Sequence, residues 1–215
     1  MGGWNLYRRA VIMAPGPINL GLIGAGPWGK IYVKTIAGLA DVRLAHLASG
    51  NPDSMSLVGS DCKISSDWRV LISDEDISGV IIATPPQYHA EIACVALDAG
   101  KAVLVEKPMT MDLGEAEKIR KRAIANKAFV LVEHTHLFRP AYREIKKMIN
   151  SLGPVRGVWS SGGDQGPHRS NTPVLWDWGP HEVALALGVF DQTPVSVDAR
   201  ILERREVEDG VGENC

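Results

Sequence analysis

Apolar positions recur along the chain with two periods that alternate, one suited to strands and one to helices. Residues 18–23 form a short apolar run ending in glycines and predict a first strand. The pattern then predicts a helix over 28–40 and a strand over 43–48, stopped by Ser49-Gly50-Asn51-Pro52. The stretch 53–78 is weakly patterned, with a short helix near 54–58 and an edge strand near 63–64. Residues 80–83 predict a buried strand, stopped by Thr84-Pro85-Pro86. Three later segments have helical stripes: Tyr88, Ile92, Val95 and Ala99 in 87–99; Leu113, Ala116, Ile119 and Ala123 in 112–126; and Tyr142, Ile145, Met148/Ile149 and Leu152 in 140–152. Asp112, three residues before Glu115, fits an N-terminal cap, and Gly153-Pro154 a helix stop. Strands are expected at 102–105, 129–133, 155–161 and 195–203, with a loop over 162–173 and a helix over 177–190.

Alternating strands and helices predict an α/β fold with a mostly parallel sheet covered on both faces. Residues 18–133 make a six-strand unit, whereas 140–215 have too few strands to close a sheet. The chain has 215 residues, 45% hydrophobic and 22% charged, which is ordinary globular composition. A net charge of −2 leaves no positive excess for phosphates along a duplex, so nucleic acid is not an expected partner. The apolar runs fall short of the roughly 18 residues of a membrane span, so no membrane role is expected. Arg8-Arg9 resembles an export signal, but the apolar run behind it is too short for a signal core. Residues 1–16 therefore read as a flexible extension. Cys62, Cys94 and Cys215 are an odd, widely spaced set; they suggest reduced thiols, a cytoplasmic location and no zinc site.

Gly24-Ala25-Gly26-Pro27-Trp28-Gly29 is a G-x-G-x-x-G sequence placed directly between a strand and a helix. That context turns a weak pattern into a dinucleotide site. The first glycine permits the turn, the second admits the pyrophosphate, and the third packs helix on strand, while the helix N-terminus faces the phosphates. Gly24, Gly26, Pro27, Trp28 and Gly29 are the candidate phosphate-loop residues, although an apolar helix start explains Trp28 nearly as well. The residue twenty positions after Gly29 is Ser49, where a carboxylate would select NAD. With none there and no arginine following, NAD or NADP fits, with a lean toward NADP. Glu106-Lys107-Pro108 ends a strand at the side where ligands bind in such sheets. Alone, it is a polar turn.

In order, the glycine turn, Ala83-Thr84-Pro85-Pro86-Gln87-Tyr88-His89, the stretch 96–108 ending in Glu106-Lys107-Pro108, and Trp176-Asp177-Trp178-Gly179-Pro180-His181-Glu182 resemble the Gfo/Idh/MocA oxidoreductase family. The resemblance runs from about residue 18 to 203. It implies a Rossmann-type doubly wound parallel sheet over 17–135, then a partial α/β domain with an open sheet over 136–215 for substrate and subunit contacts. It also implies NAD(P)-dependent hydride transfer at a hydroxyl carbon of a sugar, cyclitol or nucleotide-linked sugar. Carried over by position, Lys107 faces the substrate, His181 is the acid/base and Asp177 its partner. Thr84, Pro85, His89, Glu106 and Lys107 join the glycine turn and Ser49 around the cofactor.

These roles agree with the residue chemistry. A histidine near pKa 6.5 can take a hydroxyl proton, and a carboxylate can fix its tautomer. The competing readings are a helix cap for Asp177 and a half-buried helix histidine for His181. His134 and His136 alternate on a predicted strand and read as packing or cleft lining, not metal ligands. Family members are longer, and this chain stops after the second strand of the second sheet. The alternative is therefore a truncated, non-catalytic dinucleotide-binding protein or gene fragment. Assembly through that incomplete sheet is in doubt.

Overall fold

The computed structural model describes residues 16–163, 172–207 and 210–214. The expected extension 1–16 lies outside them except for Gly16, as do Cys215 and most of the loop expected over 162–173.

The first strand, β1 (Ile18–Ile23), pairs in parallel with β2 (Val42–Ala48) on one side and β4 (Gly79–Ile82) on the other. Beyond β2 lies β3 (Lys63–Ser65), also parallel. With β5 (Ala102–Val105) and β6 (Val130–Val132) the sheet runs β3-β2-β1-β4-β5-β6. This is the Rossmann order, in which the chain changes direction of winding beside β1 and leaves a ligand crevice at the strand C-termini. The central strands lack a polar face: all four residues of β4 are buried, as are Leu22 and Ile23 of β1. Burial on both faces is why they read as continuous apolar runs.

The residues group into two compact units: one takes in those up to Thr84 with 91–104 and 121–130, the other 85–90, 105–120 and those from Leu131 on. In the first, Leu22, Ala25, Ile36, Leu47, Cys62 and Ile81 form a core cluster. Each fully buried leucine or isoleucine side chain stabilises the fold by about 1.5–3 kcal/mol. Helix α1 (Pro27–Ala37) starts on its proline, where no amide hydrogen is needed, and ends three residues before the expected limit. A 3-10 turn, Pro52–Leu57, replaces the short helix expected at 54–58. Helix α2 (Trp68–Ser73) was not expected. Asp67 opens it by accepting a hydrogen bond from the Arg69 amide at 2.9 Å, and Leu71 and Ile72 anchor it. Helix α3 (His89–Asp98) follows a 3-10 turn, and α4 (Leu113–Ala125) is capped as expected, the Glu115 amide donating to Asp112 Oδ1 at 2.9 Å. Of its stripe, Ile119 is buried but Leu113 is exposed.

In the second unit, helix α5 (Pro140–Leu152) has the expected limits. It meets helix α7 (Gly179–Phe190) through Tyr142, whose hydroxyl donates to the Leu185 carbonyl at 3.3 Å, and through Lys146, which donates to the Gly188 carbonyl. A one-turn helix, α6 (Val174–Asp177), precedes α7. Two expected strands are corrected. Residues 155–161 and 195–202 have no strand pairing, and pairing begins at β7 (Glu203–Val207), which forms an antiparallel hairpin with β8 (Gly210–Asn214). Alternating apolar residues suit a pleated surface, but a strand exists only where a neighbour takes its amides and carbonyls. Among the described residues the second unit's only separate sheet is therefore this hairpin, a small part of the open sheet expected.

Candidate functional site

The glycine turn lies in the first unit. Gly24 has φ +99°, and a Cβ there would come within 2.5 Å of the Ala83 carbonyl oxygen, so only glycine fits. A Cβ on Gly29 would collide with the Gly24 carbonyl oxygen. Gly26 differs: its φ is −69°, and a Cβ there meets nothing within 4 Å. It borders open space at the start of α1, whose first turn carries no acidic side chain and no side-chain cap. The amides of Trp28 and Gly29 precede the first intrahelical bond, from Lys30 N to the Gly26 carbonyl at 3.0 Å. An open cradle faced by unpaired amides and a positive helix end fits a pyrophosphate. Trp28 is exposed beside it.

Ser49 follows β2, its amide held by the Ser65 carbonyl at 2.9 Å. Its hydroxyl oxygen accepts from the Asn51 amide at 3.2 Å and the Ser54 hydroxyl at 2.8 Å. Thr84 comes just after β4; Pro85 is exposed at the start of the 3-10 turn Pro86–Tyr88.

In the second unit, Glu106 is buried and its carboxylate accepts from the Lys107 amide at 3.2 Å. His89 has no exposed surface, and its Nδ1 lies 2.9 Å from the Pro108 carbonyl, so it braces the Glu106-Lys107-Pro108 turn from within.

That turn sends the Lys107 ammonium to Asp177, at 2.6 Å from Oδ1 and 2.8 Å from the main-chain carbonyl. The two side chains are only 9% and 18% exposed, so the pairing compensates a costly burial. Asp177 is not a helix cap: it ends α6, and Trp178 holds the N-cap position of α7.

His181, in the first turn of α7, is 9% exposed. Its Nδ1 has no hydrogen-bond partner among the described residues, so Asp177 does not hold that nitrogen. The charge of the aspartate acts on the ring. The imidazole pKa is also lower than expected, pushed to about 4 first by burial and then by the Lys107 charge; His136 and His134 add to this, and Asp177 opposes it. The ring is therefore neutral at pH 7.

His134 and His136 are not on a strand. β6 ends at Val132, His134 caps a 3-10 turn (Thr135–Phe138), and His136 lies within it. His136 stacks on His181 with ring centroids 4.2 Å apart and planes 19° apart, while Trp178 approaches His181 edge-on at 5.9 Å. Burial lowers the pKa of both His134 and His136. The sequence marked His136 only by its spacing from His134; a ring contact 45 positions along the chain has no local signal. Among the described residues no cluster of histidine, cysteine or acidic side chains could hold a metal, and no helix is long and apolar enough to cross a membrane.

A sheet in this order with a glycine turn at its first crossover defines an NAD-binding Rossmann protein, and the comparisons give the same class. Residues 18–134 match the profile described as an oxidoreductase family with an NAD-binding Rossmann fold. The chain belongs to this family, Gfo/Idh/MocA. It is 27% identical over 191 residues to inositol 2-dehydrogenase of Rhizobium meliloti, covering 85% of this chain and 58% of the relative. It is 33% identical over 177 residues to levoglucosan dehydrogenase of Pseudarthrobacter phenanthrenivorans, covering 74% of this chain and 44% of the relative. A crystal structure of a candidate oxidoreductase from Magnetospirillum magnetotacticum MS-1 superposes with TM-score 0.87 at 48% identity, covering 92% of this chain and 65% of that one. The chain thus spans about half the length of the curated relatives it matches.

Proposed function

We propose that the protein oxidises a secondary alcohol on a polyhydroxylated ring, a sugar or cyclitol, with NAD or NADP as acceptor. One observation carries this reading: a buried His181 in the same unit as an ammonium, Lys107, that is held by Asp177. A neutral imidazole accepts a hydroxyl proton at pH 7, and an ammonium stabilises the alkoxide as it forms. Asp177 takes two directions around Lys107 Nζ, and a lysine has a third N–H to offer a substrate oxygen. Bound dinucleotide would take up the hydride from the same carbon. The amides behind Gly26 would hold its pyrophosphate, and Ser49 would face the adenosine ribose. A neutral Ser49 does not repel a 2′-phosphate, which supports the lean toward NADP. Similarity to an inositol 2-dehydrogenase and a levoglucosan dehydrogenase supports a ring polyol as substrate.

The test is a panel of cyclitols, sugars and anhydrosugars with NAD⁺ and NADP⁺, followed at the absorbance of the reduced nicotinamide. Turnover of at least one ring polyol is expected, faster with NADP⁺. Dinucleotide binding without turnover of any polyol would overturn the reading, and clearly tighter NAD⁺ would overturn the cofactor lean.

A further inference from the structure

A histidine that accepts protons usually has its ring plane and tautomer set by a hydrogen bond at the other nitrogen, commonly to a carboxylate. His181 is built differently. Its Nδ1 has no hydrogen-bond partner among the described residues, and Asp177 gives Oδ1 to Lys107 at 2.6 Å. What touches the ring is aromatic: His136 lies on its face, with centroids 4.2 Å apart and planes 19° apart, and Trp178 meets its edge.

We propose that His136 is a positioning residue for His181, its flat ring setting the plane of the imidazole in place of a carboxylate hydrogen bond. The inference rests on reading His181 as the proton acceptor. The stack forms because the 3-10 turn Thr135–Phe138, which follows β6, presents His136 to the first turn of α7. Stacked aromatic pairs bias orientation by roughly two- to tenfold beyond simple burial. The charges around the pair keep the contact intact. Lys107, His136, His134 and Asp177 face His181, while Arg139, Glu182, Glu133 and Lys107 face His136. Both rings resist protonation, so two like charges do not meet across the stack at neutral pH. When His181 takes a proton, a neutral ring face lies against the new cation, an attractive arrangement.

Two substitutions separate positioning from space-filling. His136→Phe keeps a flat face, and His136→Leu fills a similar volume without one. The readout is the ring of His181 in the ¹³C,¹⁵N-histidine-labelled chain, assigned by its loss in His181→Gln, with neither substrate nor cofactor present. The expected result is a rigid ring with one dominant tautomer in the wild type and in His136→Phe. In His136→Leu the ring is mobile and its tautomer ratio moves toward that of free histidine. On a ring polyol that turns over, kcat should fall on the order of 10- to 100-fold in His136→Leu and recover in His136→Phe, with dinucleotide affinity unchanged in both. Equal ring mobility in the two variants, or a wild-type ring already mobile, would overturn the proposal. The ring measurement needs no turnover, so an absence of any polyol substrate would count against His181 as the base and leave the stack to be decided separately.

Discussion

Lys107 Nζ lies 2.6 Å from Asp177 Oδ1, joining residues 70 positions apart in the chain. The aspartate neutralises the lysine and does not hold Nδ1 of the histidine. Lys107 and Asp177 then act on His181 in opposite senses, the first lowering its pKa and the second raising it.

Replacing Lys107 by methionine therefore has two expected effects. Turnover of a ring polyol falls by about 100-fold or more, the scale for losing a group that stabilises a developing oxyanion. The His181 pKa rises above about 4, because a lowering charge is gone while Asp177 remains. Histidine NMR titration reads the second effect without substrate, and an unchanged or lower pKa would break the assigned coupling.

Asp177→Asn should move His181 the other way. Removing the Asp177 charge, which favours protonation, lowers its pKa further. The buried Lys107 also loses its counter-charge, which typically costs about 3–5 kcal/mol when one partner of such a pair is removed. A fall in urea midpoint together with a lower His181 pKa is the expected combination; a neutral effect on stability would mean that water reaches the lysine freely.

Lys107→Met and His181→Ala should not add. If both groups act on one substrate oxygen, the double variant loses little more turnover than the worse single variant. A double-mutant cycle measures this, and fully additive losses would show two independent roles.

At the glycine turn, position decides which function is lost. Gly26→Val should abolish dinucleotide binding while leaving the melting temperature unchanged, since its Cβ meets no protein atom within 4 Å. Gly29→Ala should instead destabilise the fold by about 1–3 kcal/mol, because its Cβ collides with the Gly24 carbonyl. Calorimetry with dinucleotide titration separates the two.

Stability should also depend on pH through His181. Its folded pKa is lowered from 6.5 to about 4, so between those values the unfolded chain binds more protons than the folded one. Stability is then fully present above about pH 6.5 and falls as pH drops toward 4, by on the order of 3 kcal/mol. His134 and His136 are shifted in the same direction and add to the trend. Denaturant midpoints from pH 7 to 4, compared with His181→Gln, isolate the histidine share; an equal slope in that variant would remove it.

The sequence alone determined what depends on local spacing. The strands near Leu22, Ile82 and Val103 read as apolar runs because both of their faces are buried, and the turn needed glycine at 24 and 29 because a Cβ there would meet backbone. The cap at Asp112 and the limits of 140–152 are equally local. Helix α2 escaped notice because six residues are too few for a helical period, although Asp67 marked its start. What only the tertiary structure decided are the relations between distant segments. The alternation in 155–161 fitted a strand, but among the described residues no neighbour takes its hydrogen bonds. His89 turned inward to the Pro108 carbonyl, Asp177 turned to Lys107, and His136 came to lie on His181. Partner choice across tens of residues is set by how packed elements place side chains, and neither period nor composition records it.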